Sequence, residues 1–324
     1  MTTKYFRGGR PLLALSFITL TASIVAGCSG GDGGGGGGGS APATTGAIGG
    51  AASKGPVSAA VVTAFAIAAD GTIGDQLGTA TTNSTGDFTM TNVAPYSGPL
   101  MLQVHGGSFM DEATGTQMNM HNGDRDMTCV VPAVTVSAGS TTSGIQITPL
   151  TSMAQVWAQN MPGQMSVENI TYANMHIGAH YLGADADIVM THPIDATVTG
   201  SANGATIDSK NYGMLLGAMS QQAYNFGMVV SSSGMITAMT NDASDGIMDG
   251  MMGGTEIDMT GMGGMMGGMM GGNMMKHTAG TSDLAAAMAT FVSNPMNRSG
   301  VTDVSEMQAI MDQLNQLAAN GGHL

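Results

Sequence analysis

Thr148-Pro149-Leu150-Thr151 is the point at which the apolar period of this 324-residue chain changes, and its reading decides the fold class. Threonine caps helices through its hydroxyl, and proline suits the first helical position, where its missing N–H and fixed φ do no harm. Upstream, apolar residues gather in short β-branched runs closed by Gly, Asn and Asp. Downstream, they recur every three or four residues. An α+β chain is expected, with strands up to residue 148 and helices from residue 149.

Val57, Val61, Val62, Phe65 and Ile67 make one strand-like run, opened by Lys54-Gly55-Pro56 and closed by Ala69-Asp70-Gly71. Gly78-Thr79-Ala80-Thr81-Thr82 makes a second, and Asn83-Ser84-Thr85-Gly86-Asp87 turns the chain into a third that starts at Phe88. Residues 99–104, 127–136 and 143–148 complete the set. Short strands separated by such turns indicate a small antiparallel β-sandwich over residues 47–148.

Past the switch, the first helix runs to about Asn160 with Leu150, Met153, Val156 and Trp157 on one face. Ser166 opens the second, with Glu168 in its first turn, Ile170, Ala173, Ile177 and Tyr181 on its apolar side with Met175 as a further apolar position, and Gly183 beyond its end. Asp208 starts a third carrying Tyr212, Leu215, Leu216 and Met219; a short fourth covers residues 234–247, and Ser282 starts a fifth. The last begins at Thr302: Val304, Met307, Ile310, Met311, Leu314 and Leu317 keep a strict spacing, and Gly321 stops it. Residues 149–324 read as a helical bundle interrupted by a disordered Met/Gly-rich loop at about 248–277.

Two stretches of the β-half carry a family resemblance. Gly55-Pro56-Val57-Ser58-Ala59-Ala60-Val61-Val62-Thr63-Ala64, followed by Gly78-Thr79-Ala80-Thr81-Thr82-Asn83-Ser84-Thr85-Gly86-Asp87-Phe88, resembles the carboxypeptidase-regulatory-like (transthyretin-like) β-sandwich. The likeness covers about the first third of the mature chain. It implies a non-catalytic spacer or recognition module, and no His-x-x-Glu zinc-peptidase pattern accompanies it.

At the N-terminus, Lys4, Arg7 and Arg10 precede an apolar run from Pro11 to Ile24 that is short for a membrane-spanning helix, which needs about 20 residues. The run ends in Val25-Ala26-Gly27-Cys28, which resembles the lipobox of bacterial lipoproteins. The resemblance implies a signal peptide over 1–27, cleaved before an acylated Cys28. Residues 28–46, with glycine throughout 33–39, read as a flexible tether. Two or three acyl chains hold a protein on a bilayer durably. Ser29 after the cysteine is similar to the pattern sorted to the outer membrane, so a lipid-anchored envelope protein is expected, on the periplasmic face or at the cell surface.

Loss of that signal removes three of the eight basic residues and none of the 22 acidic ones. So acidic a chain repels nucleic acid, which is excluded as a partner; the membrane is met through the anchor, and an envelope protein is a possible partner. With Cys28 acylated, Cys129 has no intrachain disulfide partner and reads as a small buried hydrophobe.

Three stretches could carry chemistry. Gly261-Met262-Gly263-Gly264-Met265-Met266-Gly267-Gly268-Met269-Met270-Gly271-Gly272 repeats a Met-Met-Gly-Gly unit, and Met274, Met275 and His277 follow. Thioether is a soft ligand that persists in an oxidising compartment and selects Cu(I) or Ag(I). The tract resembles Met-rich segments of periplasmic copper-handling proteins. Because 21 of the 32 methionines lie outside residues 248–275, a low-complexity loop, a reversible oxidation sink and an adaptable protein-binding surface stay open as readings.

His176 and His180 stand four apart on the second helix, a spacing that can chelate a metal, with Asp185, Asp187, His192 and Asp195 downstream as further ligands. The glutamate that a zinc-peptidase motif needs is absent at Ile177. Asp242, Asp245 and Asp249 alternate with glycines but lack the register and terminal glutamate of an EF-hand. No P-loop, dinucleotide fingerprint, Gly-x-Ser-x-Gly or Cys-x-x-Cys occurs. The expected function is a non-catalytic binding or structural role in the envelope; the alternative is a Cu(I)/Ag(I) buffer using the Met-rich loop.

Overall fold

The computed structural model describes residues 44–120, 123–228, 232–257, 275, 281 and 283–324. Nine strands come first: β1 Gly46–Ala52, β2 Val61–Ile67, β3 Ile73–Thr81, β4 Asp87–Val93, β5 Tyr96–His105, β6 Ser108–Met110, β7 Gln117–Asn119, β8 Met127–Val136 and β9 Thr141–Ile147. Among the described residues six α-helices follow: α1 Pro149–Asn160, α2 Val167–Tyr181, α3 Ile207–Asn225, α4 Ser233–Asp242, α5 Leu284–Val292 and α6 Gln308–Ala319. A two-residue pair, β10 Met251–Met252 with β11 Thr255–Glu256, lies between α4 and α5.

The strands form a four-stranded sheet in the order β3-β2-β5-β8, a three-stranded sheet in the order β4-β1-β9, and the small β6-β7 hairpin. Pairing is antiparallel except between β1 and β9, which run parallel from Ala47↔Thr141 to Ala52↔Ile147. The sequence pointed to antiparallel pairing throughout. The long excursion through β2 to β8 supplies the connection a parallel pair needs. Strand β1 falls at the start of the expected sandwich, outside the strand-like runs, because Gly49 and Gly50 are poor strand formers. Its neighbours require the second of them: a Cβ at Gly50 would overlap the Ile145 carbonyl of β9.

The turn into β4 forms as its composition dictates. The Asn83 side-chain oxygen accepts from the Thr85 N–H at 2.9 Å, the Thr85 hydroxyl at 2.8 Å and the Asp87 N–H at 2.9 Å, while Gly86 takes φ +79°. Alternation then places Phe88, Met90 and Val93 inward and leaves Asp87 and Thr89 in solvent.

Helix α1 starts where the period changes. Thr148 accepts from the Thr151 N–H and donates its own N–H to the Thr151 hydroxyl at 2.8 Å, a reciprocal cap, with Pro149 in the first turn. Both the apolar face and the polar residues Thr151, Ser152 and Gln155 are buried. The polar ones meet β8: the Thr151 hydroxyl donates to the Thr128 carbonyl at 2.7 Å, and the Thr128 N–H donates to the Ser152 hydroxyl at 2.9 Å. Asn174 of α2 donates to the Val130 carbonyl at 2.9 Å. Two helices thus cover the free edge of the sheet.

One apolar core runs through Ile48, Val62, Met90 and Leu102, across Met127 and Cys129, and on to Leu150, Met153, Tyr181, Leu215 and Met288. The change of secondary structure at Thr148 falls inside that core. Where α3 crosses α5 the fit is close: a Cβ at Gly217 would overlap the Phe291 ring. The stretch expected to form a loop from about residue 248 begins in ordered structure instead, with Met248 buried and β10–β11 paired.

Candidate functional site

The densest chemistry of the described residues lies where the β-half meets α3. Lys54 follows the end of β1, in a corner made tight by Gly55 at φ +61°. Its side chain turns inward rather than into solvent, beneath the Phe109 ring, with Nζ 5.3 Å from the ring centre. There it is wholly buried and donates to Glu112 Oε2 at 3.2 Å and to the Ser220 hydroxyl. Ser220, on α3, donates in turn to the same Glu112 oxygen at 2.5 Å. The three groups close a ring of hydrogen bonds drawn from a β-corner, the β6–β7 turn and a helix.

The turn that carries Glu112 is built by Asp111. One carboxylate oxygen accepts from the Ala113 N–H at 3.2 Å, the Thr114 N–H at 2.9 Å and the Thr114 hydroxyl at 2.8 Å. Burial pushes Glu112 above the ordinary carboxylate range, against the opposing pull of Lys54. Burial also acts to raise Asp111, but the Lys54 charge, the nearby Ser232 hydroxyl and the hydrogen bonds from Thr114 hold it below its ordinary value.

A lysine against a serine is the composition of an acyl-transfer dyad. Here the geometry opposes that use. Lys54 and Ser220 are both fully buried, and neither lines the small cleft that reaches Glu112 between Ser53, Thr85, His192 and Asp195. The ring's chemistry is that of a clamp holding three elements in register.

His192 lines this cleft and also a wider groove of about 350 Å³ over the outer face of β1. Gly49, Gly50 and Ala51 form the floor of the groove; Asp87 and Thr89 of β4, Thr141, Ser143 and Gln146 of β9, and Met190 stand around it. Gln146 is buried and donates to the Gly144 carbonyl at 2.9 Å, so its other end presents an oxygen, which meets His192 Nδ1 at 3.0 Å.

The residues singled out from sequence are placed otherwise. His176 stacks on Tyr172 with centroids 3.9 Å apart and lies edge-on to Trp157; partial burial lowers its pKa. His180 is buried, faces the Thr281 hydroxyl at 3.3 Å, and is pushed down to about 4 by burial. The two rings occupy different surroundings despite their shared helical spacing. The acids downstream are engaged by backbone: Asp187 accepts from the Val189 and Met190 N–H groups at 3.0 Å each, and Asp195 from the Thr197 N–H at 2.8 Å. Among the described residues, no three His, Cys, Asp or Glu side chains gather as a metal site.

The acidic loop behaves similarly. Asp242 accepts from the Gly250 N–H at 2.7 Å, Asp245 from Ile247 at 3.1 Å and Gly253 at 2.9 Å, and Asp249 from Met251 at 3.0 Å. Burial, with Asp249 and Asp245 nearby, pushes Asp242 up to about 8. Of the tract, Met275 is buried, and its N–H donates to the Ile257 carbonyl at 2.8 Å. Met262, Met265, Met266, Met269, Met270, Met274 and His277 lie outside the described residues, as does Cys28. Cys129 is a free buried thiol whose pKa is raised by burial and by Asp187.

Sequence reading passed over the Lys54–Glu112–Ser220 ring because Lys54-Gly55-Pro56 has the composition of an ordinary turn. The signal present was scarcity: a chain with eight basic residues against 22 acidic ones has few reasons to place one between strands. In comparisons with protein-family models, curated proteins and solved structures, nothing matches this chain.

Proposed function

We propose that the chain is a lipid-anchored envelope protein with a non-catalytic binding or structural role. In this reading its β-half is a transthyretin-like sandwich, with β4-β1-β9 facing β3-β2-β5-β8, that acts as a spacer for a helical bundle. The lipobox-like Val25-Ala26-Gly27-Cys28 and the glycine run behind it support the anchor. The observation that supports the non-catalytic part is the closure of the Lys54–Glu112–Ser220 ring: its lysine–serine contact is sealed from solvent. Mass spectrometry of the membrane-extracted protein tests the anchor. A diacylglyceryl- or triacyl-modified Cys28 as the N-terminal residue is expected, with Cys28→Ala released from the membrane fraction. An unmodified cysteine, or a wild-type chain in the cytosol, overturns the reading.

A second reading, Cu(I) or Ag(I) buffering by Met262, Met265, Met266, Met269, Met270, Met274 and Met275 with His277, is favoured by one observation. The Met275 N–H donates to the Ile257 carbonyl, so the two positions that flank the tract are held side by side. Fixing the ends of a ligand-bearing segment lowers the entropic cost of gathering its donors. Titration with Cu(I) against a competing chelator, for the wild type and a variant with the tract's methionines changed to Leu, tests it. Equal uptake by both removes copper from the account.

A further inference from the structure

The Lys54–Glu112–Ser220 ring is closed to outside substrates, but its members are pressed against one another in the interior. Lys54 and Glu112 are 0% and 2% exposed, and Nζ lies 5.3 Å from the centre of the Phe109 ring. In water an ammonium and a carboxylate stay ionised because both are hydrated. A dry interior withdraws that hydration and favours uncharged forms. Burial already acts in this direction on Glu112, whose pKa it raises. An amide is the neutral product open to such a pair.

The hydrogen bonds supply the route. Condensing an ammonium with a carboxylate forms one N–C bond and expels one carboxylate oxygen, with two of the ammonium protons, as water. Lys54 Nζ donates directly to Glu112 Oε2 at 3.2 Å, the path of the first proton. It also donates to the Ser220 hydroxyl, which donates in turn to the same Oε2 at 2.5 Å, the path of the second. Both surplus protons are thus directed to one oxygen, and Ser220 ends as it began. The carbon that Oε2 leaves is one bond from an atom already in contact with Nζ, so the fold has brought the reacting groups together. The expelled water has an exit. A cleft of about 40 Å³, room for a water, reaches Glu112 between Ser53, Thr85, His192 and Asp195 and touches neither Lys54 nor Ser220. Asp111, raised by burial and held down by the Lys54 charge, loses that charge in the step. It then takes a proton from solvent on Oδ2, a buried oxygen with no hydrogen-bond partner among the described residues.

We propose that Lys54 and Glu112 condense to an intramolecular isopeptide bond, with Ser220 as the proton relay. The step needs no metal, oxidant or partner, and it does not depend on the anchor. Until it occurs the pair is an ionic clamp; afterwards a bond joins positions 58 apart in sequence. What it secures is the β6–β7 hairpin, which belongs to neither larger sheet. Among the described residues Cys129 is a free thiol, so no disulfide does this work. The test digests the denatured full-length wild type and reads the peptides by tandem mass spectrometry. A branched peptide joining Lys54 to Glu112, lighter by one water than the sum of its two parts, is expected. It should be absent from Lys54→Met and from Glu112→Ala. In a pulse-labelled time course, Ser220→Ala with wild-type circular dichroism should form the link about tenfold or more slowly than the wild type. Unlinked Lys54 and Glu112 in the wild type after prolonged incubation overturn the proposal, as does a loss of water that persists in Glu112→Ala. A link from Lys54 to Asp111 overturns the assignment to Glu112, and a wild-type rate in Ser220→Ala overturns the relay.

Discussion

Replacing Lys54 by Met isolates what the buried ring contributes. The perturbation removes one charge and two hydrogen bonds while keeping an unbranched side chain of similar reach under Phe109. Lys54 and Glu112 are 0% and 2% exposed, so solvent does not screen them, and the change leaves Glu112 and the neighbouring Asp111 in the interior without a cation. Breaking such a pair from one side costs about 3–5 kcal/mol. Removing both members relieves part of that, since Lys54→Met/Glu112→Leu leaves the Ser220 hydroxyl unpaired, worth about 1–3 kcal/mol, and Asp111 with only its Ala113 and Thr114 hydrogen bonds. The coupling energy between the two sites should then be at least about 2 kcal/mol. Urea unfolding at pH 7, followed by far-UV circular dichroism with the m-value compared between variants, measures it. His105→Ala serves as the control, because its contact with Asp126, at 2.9 Å, leaves the imidazole 74% exposed and is worth about 0–1 kcal/mol. A single-variant loss below about 1 kcal/mol, or strict additivity of the two changes, refutes the clamp.

Asp242 makes stability depend on pH. Its folded pKa of about 8 stands above the ordinary 3.8, so between those values the folded state holds a proton that the unfolded state has released. Stability should fall with rising pH across that window, by up to about 1.4 kcal/mol per unit. Asp242→Asn should flatten the slope in urea melts at pH 5, 6 and 7, and an unchanged slope would assign it to another group. Gly217→Ala drives a methyl into Phe291 and should cost about 1–3 kcal/mol by overpacking. Gly217→Ala combined with Phe291→Leu should recover part of the loss, and no recovery would mean that α3 and α5 do not meet as described.

Most of the architecture could be read residue by residue. Thr148 and Pro149 announced α1 because a cap is local chemistry: the donor, the acceptor and the proline lie within four residues. Ser166 did the same for α2, and the Asn83 turn for β4. What could not be read was decided by partners distant in sequence. β1 is a strand because β4 and β9 pair with it on either side, and nothing in Gly46–Ala52 favours an extended chain by itself. Its parallel pairing with β9 is a property of the route between them. The burial of Thr151, Ser152 and Gln155 likewise follows from β8 standing beside α1, where an isolated amphipathic helix would have turned them to water.

The same division separates the motifs that stand out in the sequence from the ring that the fold assembles. Met-Met-Gly-Gly and His-x-x-x-His are conspicuous because their members are adjacent, but adjacency fixes direction and leaves environment open. On α2, four residues of spacing brought His176 under an aromatic ring and buried His180 against Thr281. The ring that did assemble draws on positions 58 and 108 residues apart, which no local pattern connects. Its only trace in the sequence is Lys54 itself. In an acidic chain a lone lysine on the surface would be surrounded by carboxylates in high dielectric and would gain little from any one of them. Placed inside, it can hold Glu112 and Ser220 together only because removing any of the three would leave the others desolvated and unmatched. That mutual dependence is a property of the folded ensemble. It becomes visible once the β-corner, the β6–β7 turn and α3 have been brought together, and the Lys54 and Glu112 variants measure its strength directly.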